Sequence, residues 1–319
     1  MALVKQYFVL HKKHSQDYGV KTIVLMQVGA FFEVYGLRDS QGVISESNIE
    51  SFSQICDLVM ANKKSTVNGK DVLMSGFRDY MLDKYLKRLQ ENQYTSCVYT
   101  QDTPSKNTTR SLTAIYSPGT YFASESQVMS NNTTCVWFME SKHNIRIGIS
   151  NVDIYTGKTN AFEFHVPIYH NPTAYDELER YISVHDPAEI ILIYKMEIDK
   201  MKEIIDFVGA SNRCLRHVKL GNKMDKNQGD LIDVAFKCEK QTYQQEILQR
   251  FGMSMDDDGI SPFQEHTLCT QSLCFLLDYI YRHNPDLVNR IETPTFENNT
   301  ARMILANHSY ETFPLYQEI

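Results

Sequence analysis

The sequence predicts a multi-domain α/β protein, and three observations carry that prediction. The chain has 319 residues, enough for two or three separate cores. Between residues 133 and 220, apolar strand runs give way to alternating helix and strand patterns, the order expected of an α/β layer fold. Pro118-Gly119 and the polar stretch Ser124–Asn132 mark a boundary before that region, and Met255–Gly259 marks another after it.

Composition narrows the class. Hydrophobic residues make up 42% and charged residues 22%, ordinary values for a soluble globular chain. No run of 18 apolar residues predicts a membrane span, and the opening residues lack a signal-peptide core. Seven cysteines without a Cys-x-x-Cys pair read as reduced, buried thiols of an intracellular protein in a reducing compartment. The net charge is −7, but it is unevenly placed. Residues 1–115 hold 14 Lys+Arg against 11 Asp+Glu, and the remainder 18 against 28. A basic first part on an acidic body fits one DNA-touching surface; a solvated mixed surface is the alternative.

The elements follow in order. Residues 3–18 read as a helix, with Val4, Tyr7, Phe8, Leu10 and His11 near one face and Gly19 ending it. The chain is organised around Lys21–Tyr35. Thr22–Val28 is almost wholly apolar and rich in β-branched residues, hence a strand. Gly29 allows a bend, and Phe31, Phe32 and Glu33 follow it. Adjacent phenylalanines cannot both face one core on an extended chain. Two readings stay open: an exposed aromatic wedge beside an acid, suited to prying at stacked bases, or a buried Phe pair at a strand-to-helix corner.

A turn at Asp39–Gly42 precedes a helix over Asn48–Met60, with Phe52, Ile55, Cys56 and Val59 spaced for one face. Asn62–Thr66 reads as a polar loop carrying Lys63 and Lys64. Leu82–Glu91 is an amphipathic helix with the stripe Leu82, Tyr85, Leu86 and Leu89, and Tyr94–Tyr99 a strand. Beyond the boundary come three strands around Cys135, Ile145 and Ala161, with Thr156-Gly157 as a turn. Helix Tyr175–Val184, strand Ala188–Tyr194, helix Met196–Val208, strand Arg213–Leu220 and helix Asp230–Phe251 follow. Glu265–Tyr281 is a long apolar helix.

No His-x-x-x-His pair, Gly-x-Ser-x-Gly elbow or Gly-x-x-x-x-Gly-Lys-Ser/Thr loop occurs, so no catalytic, cofactor-binding or metal-binding residue is assigned. A metal-dependent nuclease would need converging carboxylates. Asp153 is the one acid inside a predicted core strand, with Glu163, Asp186 and Glu189 as further candidates. For Asp153 the competing reading is a turn carboxylate bonding backbone amides.

Gly29-Ala30-Phe31-Phe32-Glu33-Val34-Tyr35 resembles the Gly-Asp-Phe-Tyr-Glu-Leu-Phe stretch of the MutS mismatch-recognition proteins. Ala30 and Phe32 depart from it. Gln6-Tyr7-Phe8-Val9-Leu10-His11-Lys12 resembles the family's opening helix, Val72–Phe77 its Pro-Met-Ala-Gly-Ile-Pro-Tyr-His stretch, and Ser111–Thr120 its Arg-x-x-Thr-Pro-Gly-Thr exit. Arg78, Asp79 and Tyr80 replace Pro-Tyr-His, so contacts made there do not transfer. Gln101 matches a strand ending in Glu-Gln.

The resemblance spans the chain. It implies a small mixed α/β mismatch-binding domain over 1–118, a linker over 119–132, and an RNase H-like connector over 133–252. The opening of a helical core would run over 260–319, with Met303–Ser309 starting its next segment. Phe31 would stack on a mispaired base and Glu33 hydrogen-bond it. Lys63 and Lys64 would meet DNA phosphates as sequence-blind charges.

The family's ATPase, with its ATP and Mg²⁺, would lie beyond residue 319. This chain would then be a non-enzymatic fragment, split product or truncated homologue. The implied partners are mismatched double-stranded DNA, a second copy in the full-length family, and a MutL-like protein at the connector. The Lys21–Tyr35 flavour is similar to the giant-virus and octocoral-mitochondrial branch, which implies a viral setting in host cytoplasm or a mitochondrial one. The alternative function is a protein-interaction module of the repair machinery without mismatch specificity.

Overall fold

Strand Thr22–Val28 (β1) sits in the interior of a seven-stranded mixed sheet, which explains its largely apolar run. Helix Ala2–Tyr18 (α1) precedes it. Strand Phe31–Arg38 (β2) returns antiparallel to β1, and the short strand Ile44–Ser45 (β3) pairs with β2. Helix Ile49–Cys56 (α2), strands Ala61–Val67 (β4) and Lys70–Arg78 (β5), helix Leu82–Glu91 (α3), and strands Thr95–Gln101 (β6) and Arg110–Tyr116 (β7) complete this unit. The order is β4-β5-β2-β1-β6-β7, with β1 and β6 parallel. The computed structural model describes residues 2–102, 109–122, 130–168, 173–221, 229–254 and 261–297.

The second sheet has six strands in the order β12-β11-β8-β9-β10-β13. They are Asn132–Glu140 (β8), Asn144–Asp153 (β9), Thr159–Pro167 (β10), Glu189–Tyr194 (β11), Cys214–Lys219 (β12) and Thr295–Phe296 (β13). Helices Asp176–His185 (α4) and Ile198–Phe207 (α5) make the crossovers around β11. Because β11 lies between parallel β8 and β12, all six of its residues are buried. The chain is thus α/β with two mixed sheets, as its patterning predicts.

Helices Asp230–Cys238 (α6), Gln241–Arg250 (α7), Pro262–Glu265 (α8) and Thr267–His283 (α9) follow β12. α9 lies on β8 and β9. The hydroxyl of Ser272 donates to the Cys135 carbonyl at 2.8 Å, and Ser150 and Ser272 meet at 2.9 Å. The segment assigned by resemblance to a helical core therefore packs, through α9 and β13, on the second sheet.

The units meet around a closed polar cluster. Glu189 on β11 accepts from Arg216 Nε at 2.6 Å and from the Tyr279 hydroxyl at 3.0 Å. Arg216 also donates to the Tyr18 carbonyl and to Thr95 Oγ1, both in the first unit. The Gly119 amide donates to Glu189 Oε2 at 3.1 Å, and Thr120 Oγ1 lies 2.8 Å from His283 Nδ1. The boundary at Pro118-Gly119 is therefore packed on its described sides. Asn131 adds to this, donating through Nδ2 to the Pro118 carbonyl at 3.0 Å.

Three sequence readings need correction. The helix expected over Asn48–Met60 stops at Cys56, because Asp57 turns left-handed at φ +55° and its amide returns to Gln54 and Ser53. Val59, expected on the apolar face, is consequently exposed. The helix expected over Asp230–Phe251 is two helices, α6 and α7. The break at Glu239-Lys240 lets Val234, Cys238, Ile247 and Leu248 all become buried, and Gln244 Nε2 covers the Cys238 carbonyl at 2.7 Å. The polar loop expected over Asn62–Thr66 is part of β4, an edge strand whose register shifts between Asn62 and Thr66. Met255–Gly259, Met303–Ser309 and most of Ser124–Asn132 lie outside the described residues. No helix among the described residues is long and apolar enough to cross a membrane.

Candidate nucleic-acid interface

The β1–β2 hairpin closes through two residues, Gly29 and Ala30, with Val28 opposite Phe31. Gly29 takes φ +61°, a conformation that costs a residue with a Cβ about 1–2 kcal/mol. The turn is tied to its neighbours. The Gly29 amide donates to Gln101 Oε1 at 3.1 Å, the Gln101 amide to Gln27 Oε1 at 2.9 Å, and Arg110 Nε to the Gln27 carbonyl at 2.6 Å. Resemblance singled out Gln101 without a role; here it anchors the hairpin.

The chain beyond the turn is extended, so Phe31 and Phe32 alternate. Phe32 is 3% exposed and packs on Phe77, whose ring also meets Phe52 of α2 and Tyr85 of α3. Phe31 is 43% exposed, with the Arg78 guanidinium 5.8 Å from its ring centroid. Burying a Phe contributes roughly 1.5–3 kcal/mol, and Phe31 forgoes part of that. One ring is thus exposed and its neighbour buried, so the buried-pair reading does not hold. The corner is strand to strand.

Period-2 alternation also places Glu33 and Tyr35 on the Phe31 face. α1 meets that face where Tyr7 packs on Tyr35 edge to face at 5.1 Å. Opposite Glu33 stands Gly76 on β5. A Cβ at Gly76 would lie 2.5 Å from the Phe32 carbonyl oxygen, so the close pairing of β2 and β5 depends on glycine.

Glu33 is held on one oxygen. Its Oε2 accepts from Lys63 Nζ at 2.7 Å and from the Tyr35 hydroxyl. Lys63 Nζ also donates to Tyr35 Oη at 2.9 Å and sits 4.5 Å from that ring's centroid. Burial, then the Glu33 carboxylate, push the Tyr35 phenol far above its ordinary range, so Tyr35 remains a donor at any working pH. Side-chain exposures of 33% for Lys63 and 13% for Glu33 place the ion pair between the surface and fully buried cases. Oε1 of Glu33 makes no hydrogen bond among the described residues.

The structure therefore brings Phe31, Glu33 and Lys63 together and sets Lys64 apart. Lys63, expected free in a loop for a phosphate, has its ammonium against a carboxylate. Lys64 sits at the β4 irregularity with φ +49°, exposed, in no ion pair among the described residues. Sequence reasoning missed Tyr35, Gly76 and Arg78. The signal for Tyr35 was present, since residues 31, 33 and 35 must share a face, and the family stretch has Phe where this chain has a hydroxyl.

The carboxylates considered for metal chemistry are dispersed, each with its own partner. Asp153 accepts from the amides of Asn131 at 2.9 Å and Tyr155 at 3.0 Å and from the Thr156 hydroxyl at 2.8 Å, a turn carboxylate held below its ordinary range by those bonds. Glu163 accepts from the Leu268 and Cys269 amides at the start of α9. Asp186 pairs with Arg213 at 2.7 Å, and Glu189 with Arg216. No group of three or more potential metal ligands occurs among the described residues.

Residues 1–125 match the model of MutS domain I. Over 96% of its length the chain is 25% identical to a mutS homologue of Acanthamoeba polyphaga mimivirus, covering 29% of that protein. Over 99% of its length it is 22% identical to the DNA mismatch repair protein MutS of Clostridioides difficile, again covering 29%. A third relative, MutS of Parabacteroides distasonis, is 26% identical over 60% of the chain and 19% of its own length. The chain thus spans less than a third of the curated relatives it matches.

Proposed function

We propose, for a chain that carries a MutS-family N-terminal region, that this region reads mispaired or unpaired bases in double-stranded DNA as part of DNA mismatch repair. Phe31 is the wedge and Glu33 the base contact. The observation that carries the reading is the split between neighbours: Phe32 is in the core, while Phe31 stands exposed just past a braced hairpin turn, beside a carboxylate whose Oε1 makes no hydrogen bond among the described residues.

A mispaired step is poorly stacked and easily kinked, so inserting Phe31 costs less there than at a matched step. A base–aromatic stack contributes roughly 1–3 kcal/mol. Glu33 disfavours approach to matched DNA, where no base donor satisfies it near the phosphates. Lys64, exposed and outside the Glu33 cluster, is the phosphate contact in this reading.

The segments 1–118, 133–252 and 260–319 serve in this proposal as mismatch-binding domain, connector and start of the core. A second copy and a MutL-like protein are partners of the whole assembly. The test is a duplex carrying 2-aminopurine beside a G·T mismatch. Wedging unstacks the fluorophore and raises its emission when this chain is added, but not with the matched duplex. Binding without any emission change sinks the wedge and leaves the protein-interaction module as the reading.

A further inference from the structure

Resting on that reading, we infer that Tyr35 and Lys63 are positioning residues that fix which atom of Glu33 meets the base, and so set which base edges are accepted. Two donors converge on a single carboxylate oxygen, Oε2, from different strands: the Tyr35 hydroxyl on β2 and Lys63 Nζ on β4. They also brace each other at 2.9 Å. A carboxylate so held cannot turn without losing two charge-assisted hydrogen bonds. Oε1 makes no hydrogen bond among the described residues and is the oxygen left to accept one from a base. The site therefore selects a base that presents an N–H donor. Lys63 places its ammonium on the same oxygen, Oε2, that Tyr35 holds.

The lock makes an unusual demand on the amide variant. In Glu33→Gln the carbonyl oxygen is the only group that can accept from Tyr35 and Lys63. The NH₂ group must then face the base, turning an acceptor site into a donor site. Removing the lock frees the amide to rotate and present its oxygen again. A merely structural role for Tyr35 and Lys63 has no such consequence.

The experiment compares two duplexes, one with a G·T mismatch and one in which thymine is replaced by a shape isostere lacking N3–H. The wild-type chain is expected to prefer thymine by about tenfold or more, the worth of a hydrogen bond to a charged group. Tyr35→Phe with Lys63→Met, which keeps the ring and the stem, is expected to cut that ratio to about threefold or less. Phe31-dependent mismatch binding persists in that variant. Glu33→Gln alone is expected to abolish or reverse the preference, and adding Tyr35→Phe and Lys63→Met to it to restore part of it. An unchanged ratio in Tyr35→Phe/Lys63→Met, or no recovery in the triple variant, overturns the positioning role while leaving the wedge intact. Loss of Phe31-dependent mismatch preference in the wild-type chain overturns both.

Discussion

Glu189 and Arg216 form an ion pair of 2.6 Å whose side chains are 0% and 4% exposed. Desolvation of both charges is offset by further hydrogen bonds to each. Ser117, Gly119 and Tyr279 donate to Glu189, while Arg216 donates onward to Tyr18 and Thr95. The pair is also the joint between the two sheets.

Breaking it from one side strands a buried charge. Glu189→Ala is expected to cost about 3–5 kcal/mol, read as a lower midpoint in urea unfolding. Arg216→Met should cost a comparable amount. An effect within about 0.5 kcal/mol, the usual range of surface substitutions, would contradict the enclosed geometry.

Histidines held neutral in the core give a pH dependence with a definite sign. Burial depresses His14 to about 4, and its ring lies 2.8 Å from the Tyr99 hydroxyl. The unfolded chain, with His near 6.5, binds the proton that the folded chain refuses. Stability contributed by the neutral ring is present above about pH 6.5 and is lost as pH falls toward about 4. His14→Gln should flatten the unfolding free energy over that window, measured by denaturant titration at several pH values. An unchanged slope would contradict it.

Gly76→Ala puts a methyl group against the Phe32 carbonyl oxygen, at 2.5 Å. The β2–β5 pairing must shift, at a cost of about 1–3 kcal/mol. Because Glu33 faces Gly76, base discrimination should weaken along with the melting temperature. A fully stable variant would show that the sheet gives way more easily than its packing indicates.

Lys64→Ala is expected to weaken binding to matched and mismatched duplexes alike, and to lower the slope of log K against log salt by about one. A change in discrimination instead would place Lys64 at the base.

Much of this fold was legible in the residues. The almost wholly apolar run Thr22–Val28 announced a strand, the run Ala188–Tyr194 a buried one, and the stripe of Leu82–Glu91 a surface helix with the bounds it has. What local pattern could not give was tertiary. Asp57 ended a helix whose apolar spacing continued to Val59. Asn62–Thr66 reads as a loop by composition and becomes a strand because β5 offers an edge to pair with. For the site, alternation required that Phe31 and Phe32 part, but not which ring is buried. The partnership of Lys63 with Glu33 spans 30 residues and two strands, beyond any local spacing rule.

The most direct test is equilibrium binding of the 319-residue chain to a G·T-mismatched duplex and its matched twin, for wild type and Phe31→Ala, at two salt concentrations. Because Phe31 is exposed and the core aromatic is Phe32, the variant should fold as wild type does. The account predicts a mismatch preference in wild type that Phe31→Ala abolishes, with weak, salt-dependent binding to both duplexes remaining. Equal binding to the two duplexes, unchanged by Phe31→Ala, would contradict it.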